Sequence, residues 1–214
     1  MTGVLPLDLG DVPQRLAQQM AFMVEIDQLK NVLRQTPIAD GSRRENTAEH
    51  SWQLAMAAML LAEHANEPVD GSRVVELLLV HDLVEIYAGD TFIYASVDPA
   101  VAAAQEANEK AAADRLFDIL PADQRDRLRA RWDEFEAKQT PESRFAKAID
   151  RLMPMVLNYV AGGGSWKVHS ITADKTHRLI DATMPHGSVA LADYGHALID
   201  RAVAEGVLLP PSPS

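Results

Sequence analysis

The chain has 214 residues, 47% apolar and 24% charged, a balance that suits a globular protein with a sizeable core. It carries no cysteine, which excludes disulfides, thiolate metal sites and cysteine nucleophiles. A formal net charge of −11 argues against nucleic-acid polymers as partners, yet leaves room for a small anion beside a local cation.

The start, Met1-Thr2-Gly3-Val4-Leu5-Pro6-Leu7-Asp8, has neither the basic region nor the apolar core of a signal peptide. No apolar run approaches the roughly 18 residues that span a bilayer. The expectation is a cytoplasmic protein with no membrane partner. Residues 1–10 read as a loose lead-in. Asp11, with Pro13 in the first turn, predicts a helix to about Leu33, because Leu16, Met20, Met23, Ile26 and Leu29 recur at three and four. Gln35 to Glu45 reads as a loop on its turn residues.

Asn46 and Glu49 resemble a capping box that opens a central helix to about His64, rich in Ala, Met and Leu on nearly every face. Asp70-Gly71-Ser72 opens the next helix, which Gly89 stops. Residues 90–97 read as an extended loop over the site, since no partner strand is in view. Asp98-Pro99 begins a helix to about Leu120, whose Ala/Glu/Lys run from 101 to 115 reads as a solvated face. Pro121 begins another to about Lys138. Thr140-Pro141-Glu142 caps a helix through Val160 that Gly162-Gly163-Gly164 ends. Two more helices, 171–183 and 187–206, precede a loose Pro/Ser tail at 207–214. No repeat or long linker divides the chain. The expectation is one all-α domain over 11–206, a bundle of about seven or eight helices with its core in 15–160 and C-terminal helices in 171–206.

The run from Leu77 to Asp90 is apolar except for His81, Asp82, Glu85 and Asp90. Read as one helix, it crowds His81, Asp82 and Glu85 onto neighbouring faces. Burying an imidazole and carboxylates among Leu and Val costs several kcal/mol unless something pairs them, and a divalent cation is the most economical partner. His50 and Asp150 stand in similar helical apolar contexts. Two imidazoles and two carboxylates suit a first-row divalent ion with open positions for water and substrate.

The blocks Arg44-Glu45-Asn46-Thr47-Ala48-Glu49-His50-Ser51, His81-Asp82-Leu83-Val84-Glu85-Ile86-Tyr87-Ala88-Gly89-Asp90 and Phe145-Ala146-Lys147-Ala148-Ile149-Asp150 resemble the HD-domain metal-dependent phosphohydrolases. Within them the match is to the small 5′-deoxynucleotidase-like branch, which Leu29 to Arg34 and Glu134-Phe135-Glu136 also fit. The resemblance covers residues 15–160. It implies an HD-domain bundle in which His50, His81, Asp82 and Asp150 hold one divalent cation, be it Mn, Co, Mg, Fe, Ni or Zn. It implies that Glu85 orients or deprotonates the attacking water, that Asp90 meets the substrate as general acid or sugar contact with Thr91 beside it, and that Arg34 holds the phosphate. An Arg fork suits a phosphate dianion, and a carboxylate near the cation suits a proton acceptor. Lys147 either touches phosphate or neutralises the carboxylates.

The implied reaction is removal of the 5′-phosphate from (deoxy)nucleoside monophosphates by a homodimer, with apolar helices beyond 170 as a dimer face. The rival readings are hydrolysis of a cyclic nucleotide or nucleoside triphosphate, and a catalytically silent nucleotide-binding module. Gln35 departs from the branch, which tends to place an aromatic there, so the choice of deoxy or ribo sugar stays open; Arg43 and Arg44 stay open as phosphate holders beside Arg34. His64, His169, His177, His186 and His196 have no partners at ligand spacing and read as surface or interface residues. Trp52, Trp132 and Trp166 read as packing residues.

Overall fold

The computed structural model describes residues 12–94 and 99–212. The lead-in 1–10, Asp11 and Asp98 at the expected starts of two helices, loop residues 95–97 and the last two residues lie outside them. In chain order the elements are α1 (Gln14–Ile26), β1 (Leu33–Pro37), β2 (Arg44–Asn46), α2 (Thr47–Leu61), α3 (Gly71–Val80), α4 (Glu85–Ala88), α5 (Pro99–Phe117), α6 (Ala122–Ala137), α7 (Pro141–Val160), α8 (Gly164–Val168), α9 (Ala173–Thr183) and α10 (Val189–Ala204). Among the described residues, eight helices run from nearly three turns to more than five and match the eight expected segments; α4 and α8 are single turns. The architecture is all-α with one two-stranded ribbon.

Side-chain caps place the helices that carry the site. The Asn46 side chain accepts from the Glu49 N–H at 3.0 Å while the Glu49 carboxylate accepts from the Asn46 N–H at 3.2 Å, the expected capping box of α2. Asp70 accepts from the Ser72 and Arg73 N–H groups at the head of α3. Thr140 accepts from the Ser143 N–H at 3.1 Å with Pro141 in the first turn of α7. At the other end of α7, Gly162 and Gly163 take φ of 70° and 114°, conformations that open to glycine without strain.

Three expectations are corrected. The first helix ends at Ile26, followed by a 3₁₀ turn over Asp27–Asn31, so Arg34 lies on a strand instead of just beyond a helix. The stretch read as a loop from Gln35 to Glu45 contains most of an antiparallel ribbon pairing Leu33 with Asn46 and Pro37 with Arg44, with an irregular register between. Its turn residues, including Gly41 at φ 71°, dominate the local pattern and conceal the short flanking strands. The helix read from Asp70 to Gly89 breaks at residues 81–84. There the Leu83 N–H reaches Val80 O and the Glu85 N–H reaches Asp82 O, three-residue steps in place of four. Glu85 therefore starts α4 and does not sit one α-helical turn above His81.

Two apolar clusters meet at the site. One packs α2, α3, α7, α9 and α10 through Leu54, Leu77, Leu78, Phe145, Ile149 and Ile199. The other gathers Phe22, Leu83, Val84, Leu116, Phe117 and Trp132 from α1, the turn, α5 and α6. The chain passes from the first to the second between Leu78 and Val80, at the end of α3 just before the 81–84 turn.

Trp132 and Trp166 are buried as expected, but Trp52 is 65% exposed, on an outer stripe of α2 with Met56, Met59 and Leu60. His177 and His196, without partners at sequence spacing, meet across α9 and α10 with their Nδ1 atoms 2.7 Å apart. The tail expected to be loose is tied down through residue 212: Leu208 is buried, Leu209 O accepts from the Ala173 N–H, and the Ser212 N–H donates to Asp174. Among the described residues no helix is long and apolar enough to cross a membrane.

Candidate active site

α2 presents His50, α7 presents Asp150, and the turn after α3 presents His81 and Asp82. The four side chains converge although His50 and Asp150 are 100 residues apart. His50 Nε2 lies 3.1 Å from Asp150 Oδ1 and 4.0 Å from Asp82 Oδ2. His81 Nε2 lies 3.1 Å from Asp82 Oδ1 and 3.7 Å from Asp150 Oδ1. One donor atom from each of His50, His81 and Asp82 falls within 4.8 Å of the others.

The His81 ring states its tautomer. Nδ1 is 2.8 Å from Leu78 O, so it carries the hydrogen and donates it, which leaves Nε2 as the lone pair. That buried Nε2 has no hydrogen-bond partner, yet two carboxylate oxygens face it. Electron-rich atoms gathered this way need a cation between them, and a mixed imidazole–carboxylate set fits a divalent first-row ion. A proton is the smallest such cation. Burial opposes it, but the charge of Asp82 and the contact with Asp150 outweigh burial and push the His81 pKa up to about 10.

Around this cluster the carboxylates are set apart by their neighbours. Burial acts against the charge of Asp82, but His81 and Arg34 hold its carboxyl well below the usual range. Burial likewise opposes Asp150, which Lys147 and Arg151 keep ionised. Glu85 goes the other way: burial first, then the Asp82 charge, push it up to about 9, although Thr47 Oγ1 donates to its Oε2 at 2.8 Å. Burial also raises Asp90. Two carboxyl groups in one site thus favour opposite protonation states, an arrangement that separates a proton carrier from a charge holder.

Arg34 settles which arginine enters the site. Its NH1 donates to Asp82 Oδ2 at 3.0 Å and lies 3.8 Å from Asp90 Oδ1. Burial opposes its charge, but Asp82 and Glu85 keep it firmly protonated. Arg43 instead pairs with Glu49 in solvent, and Arg44 donates to the carbonyls of Leu33 and Arg34. Lys147 Nζ is 3.0 Å from Asp150 Oδ2 and sits over the Phe135 ring.

These groups open on a cavity of about 480 Å³ whose walls include Arg34, His81, Asp82, Glu85, Asp90, Thr91 and Lys147, a volume suited to a small molecule. Gln105 and Glu109 also line it, so the face of α5 read as solvated is in part a pocket wall. Glu45, Thr47 and Arg151 reach the site as well, with no local signal in the sequence that marks them. Glu45 follows two arginines and reads locally as solvated charge; only the ribbon turns it inward. Gln35 contacts His169, Oε1 to Nε2 at 3.1 Å, and the His169 ring lies 4.3 Å from that of Phe92.

The family described as HD domain matches residues 26–190. The 5′-deoxynucleotidase HDDC2 of Xenopus laevis is 30% identical over 62% of this chain, and the chain spans 63% of that relative's length. The 5′-deoxynucleotidase YfbR of Escherichia coli is 31% identical over 63% of this chain and 69% of its own. A solved structure described as a predicted metal-dependent phosphohydrolase from Magnetospirillum magnetotacticum is 49% identical, covers 92% of this chain and all of its own, and superposes with a TM-score of 0.85. An HD-domain phosphohydrolase from Listeria innocua, 16% identical with a TM-score of 0.57, shares the fold.

Proposed function

This chain belongs to the HD domain family, and on that premise we propose that it is a metal-dependent phosphomonoesterase that removes the 5′-phosphate from nucleoside monophosphates. The observation that carries the reading is the buried, unpartnered Nε2 of His81 facing Asp82 and Asp150 beside His50, at the wall of a cavity that also holds Arg34. The names of the HDDC2 and YfbR relatives supply the substrate class. The unit is 11–206, with 15–160 carrying the site.

His50, His81, Asp82 and Asp150 hold the cation in this proposal. A divalent cation there would acidify water, polarise a phosphoryl oxygen and offset the Asp82 charge that adds to burial in raising Glu85. Glu85, held by Thr47, takes the proton from the attacking water. Arg34 offers its guanidinium to the phosphate, whose arrival competes with the Asp82 and Asp90 contacts for the same N–H groups. Asp90, which burial raises, is placed to serve as general acid for the leaving oxygen or to contact the sugar, with Thr91 beside it. Lys147 either reaches the phosphate or neutralises Asp150.

The test is phosphate release from a panel of ribo- and deoxynucleoside monophosphates, cyclic nucleotides and triphosphates, with Mn²⁺, Co²⁺ and Mg²⁺. Release from monophosphates alone is expected. Metal-loaded protein that releases phosphate from none of them overturns the proposal. The homodimer and the cytoplasmic setting belong to the same proposal; light scattering on the purified chain tests the first and cell fractionation the second.

A further inference from the structure

We infer that Glu45 is a positioning residue: it fixes His50 in the tautomer that can hold a cation and ties that histidine to the pocket arginine. The inference rests on the metal-dependent reading above and deepens it.

Glu45 stands on β2, five residues before His50, and is 2% exposed. Its Oε2 is 3.4 Å from His50 Nδ1 and 3.5 Å from Arg34 Nε. Each of these three atoms is buried without a hydrogen-bond partner. What each lacks, a neighbour offers. Arg34 Nε always carries a hydrogen, and one carboxylate oxygen has lone pairs enough for two donors. A contraction of a few tenths of an ångström satisfies all three.

His50 Nδ1 carries a hydrogen in only one of its two neutral tautomers. With the hydrogen there, Glu45 accepts it, and the Nε2 lone pair turns toward Asp150 Oδ1 and Asp82 Oδ2, as His81 Nε2 does. With the hydrogen on Nε2, that nitrogen donates to Asp150 and is lost as a ligand, while the Nδ1 lone pair meets the Glu45 carboxylate. The charge of Glu45 disfavours the second arrangement. Leu78 O serves the same purpose for His81, so the two rings are aimed by different means: a backbone carbonyl for one, a buried carboxylate for the other. Because the Glu45 oxygen also faces Arg34, one side chain joins the cation side of the pocket to its anion side.

The test compares wild type, Glu45→Gln and Glu45→Ala by Mn²⁺ titration calorimetry, and reads the His50 tautomer in metal-free wild type from ring ¹⁵N shifts. Wild type should carry its hydrogen on Nδ1. Glu45→Ala should bind Mn²⁺ roughly 10–100-fold more weakly, the usual cost of losing a partner behind a metal-bound histidine. Glu45→Gln, whose amide oxygen can take the same two donors but carries no charge, should fall between. A His50 with its hydrogen on Nε2 alone in chelator-treated wild type overturns the inference without any variant having to fold. Folded variants that match wild type in Mn²⁺ affinity overturn it as well. Both results leave the metal-dependent reading standing, whereas wild type that binds no Mn²⁺ removes that reading and this one with it.

Discussion

At the scale of single residues, protonation and cation binding compete for the same lone pairs. His81 is raised from its ordinary range to about 10, so without a divalent cation its stabilising contribution is complete below pH 6.5 and is lost as pH climbs toward 10. Glu85, raised to about 9, acts in the same direction: the folded state keeps a proton that the unfolded chain releases above about 4.5. Asp82 and Asp150 are lowered, and their contribution fades only as pH falls below the ordinary carboxylate range. Chelator-treated protein is therefore expected to lose urea resistance steadily from pH 6.5 to 9. Glu85→Gln should flatten part of that slope, and Mn²⁺ affinity should rise over the same window as the protons are displaced. Denaturation midpoints at four or five pH values check the sign. Replacing a proposed ligand should be more severe: Asp82→Asn, at matched melting temperature, should lose more Mn²⁺ affinity than the roughly 10–100-fold typical of outer partners and abolish phosphate release. Arg34→Ala should raise KM for a nucleoside monophosphate while leaving Mn²⁺ affinity within a few-fold, read by paired kinetic and calorimetric titrations.

At the scale of elements, the site depends on where helices begin and break. The capping box at Asn46 sets the first turn of α2 and with it the height of His50. Asn46→Ala is expected to cost about 1 kcal/mol in chemical denaturation, within the range for lost N-caps. The 81–84 turn matters more. A continuous helix over 70–89 would carry His81 and Glu85 one above the other; the break instead lets His81 and Asp82 face α2 and α7 while Glu85 opens α4 beside Thr47. Nothing in the local pattern marks the break, since Leu83, Val84, Ile86 and Tyr87 are apolar on either reading. The second apolar cluster draws Leu83 and Val84 away from the first, and that is a tertiary preference. The ribbon was hidden for the opposite reason: strong turn residues flanked by strands too short to show alternation.

At the scale of the molecule, a cation in the proposed site would join parts of the chain that are distant in sequence. α2, the post-α3 turn and α7 each supply ligands in the proposed site, so binding links elements drawn from residues 50 to 150. Mn²⁺ at 100 times its dissociation constant should stabilise the fold by about 2.7 kcal/mol, seen as a concentration-dependent rise in melting temperature that a chelator reverses. Beneath the site, Leu78 packs with no exposure and its carbonyl aims His81. Leu78→Ala should cost about 2–5 kcal/mol through the cavity it leaves. Because the backbone carbonyl survives the substitution, Mn²⁺ affinity of the folded fraction should change far less, which calorimetry below the melting point can separate from the loss of stability.

The helical class, the eight long segments, the caps at Asn46 and Thr140 and the glycine stop after Val160 were legible in the sequence because they depend on neighbours within a few residues. So were the kinds of side chain that now cluster, since ionisable groups stranded in apolar helices betray themselves by the cost of burying them. Local order carries no record of how helices far apart in the chain dock, and there the tertiary structure decided. It placed Arg34 in the pocket and Arg43 outside it, turned Glu45 inward behind His50, and made α5 a wall of the cavity. It also set the lone pair of His81 against two carboxylates. Each of these depends on a contact across dozens of residues, where packing of the two apolar clusters, and not the pattern of any one segment, determines which atoms meet.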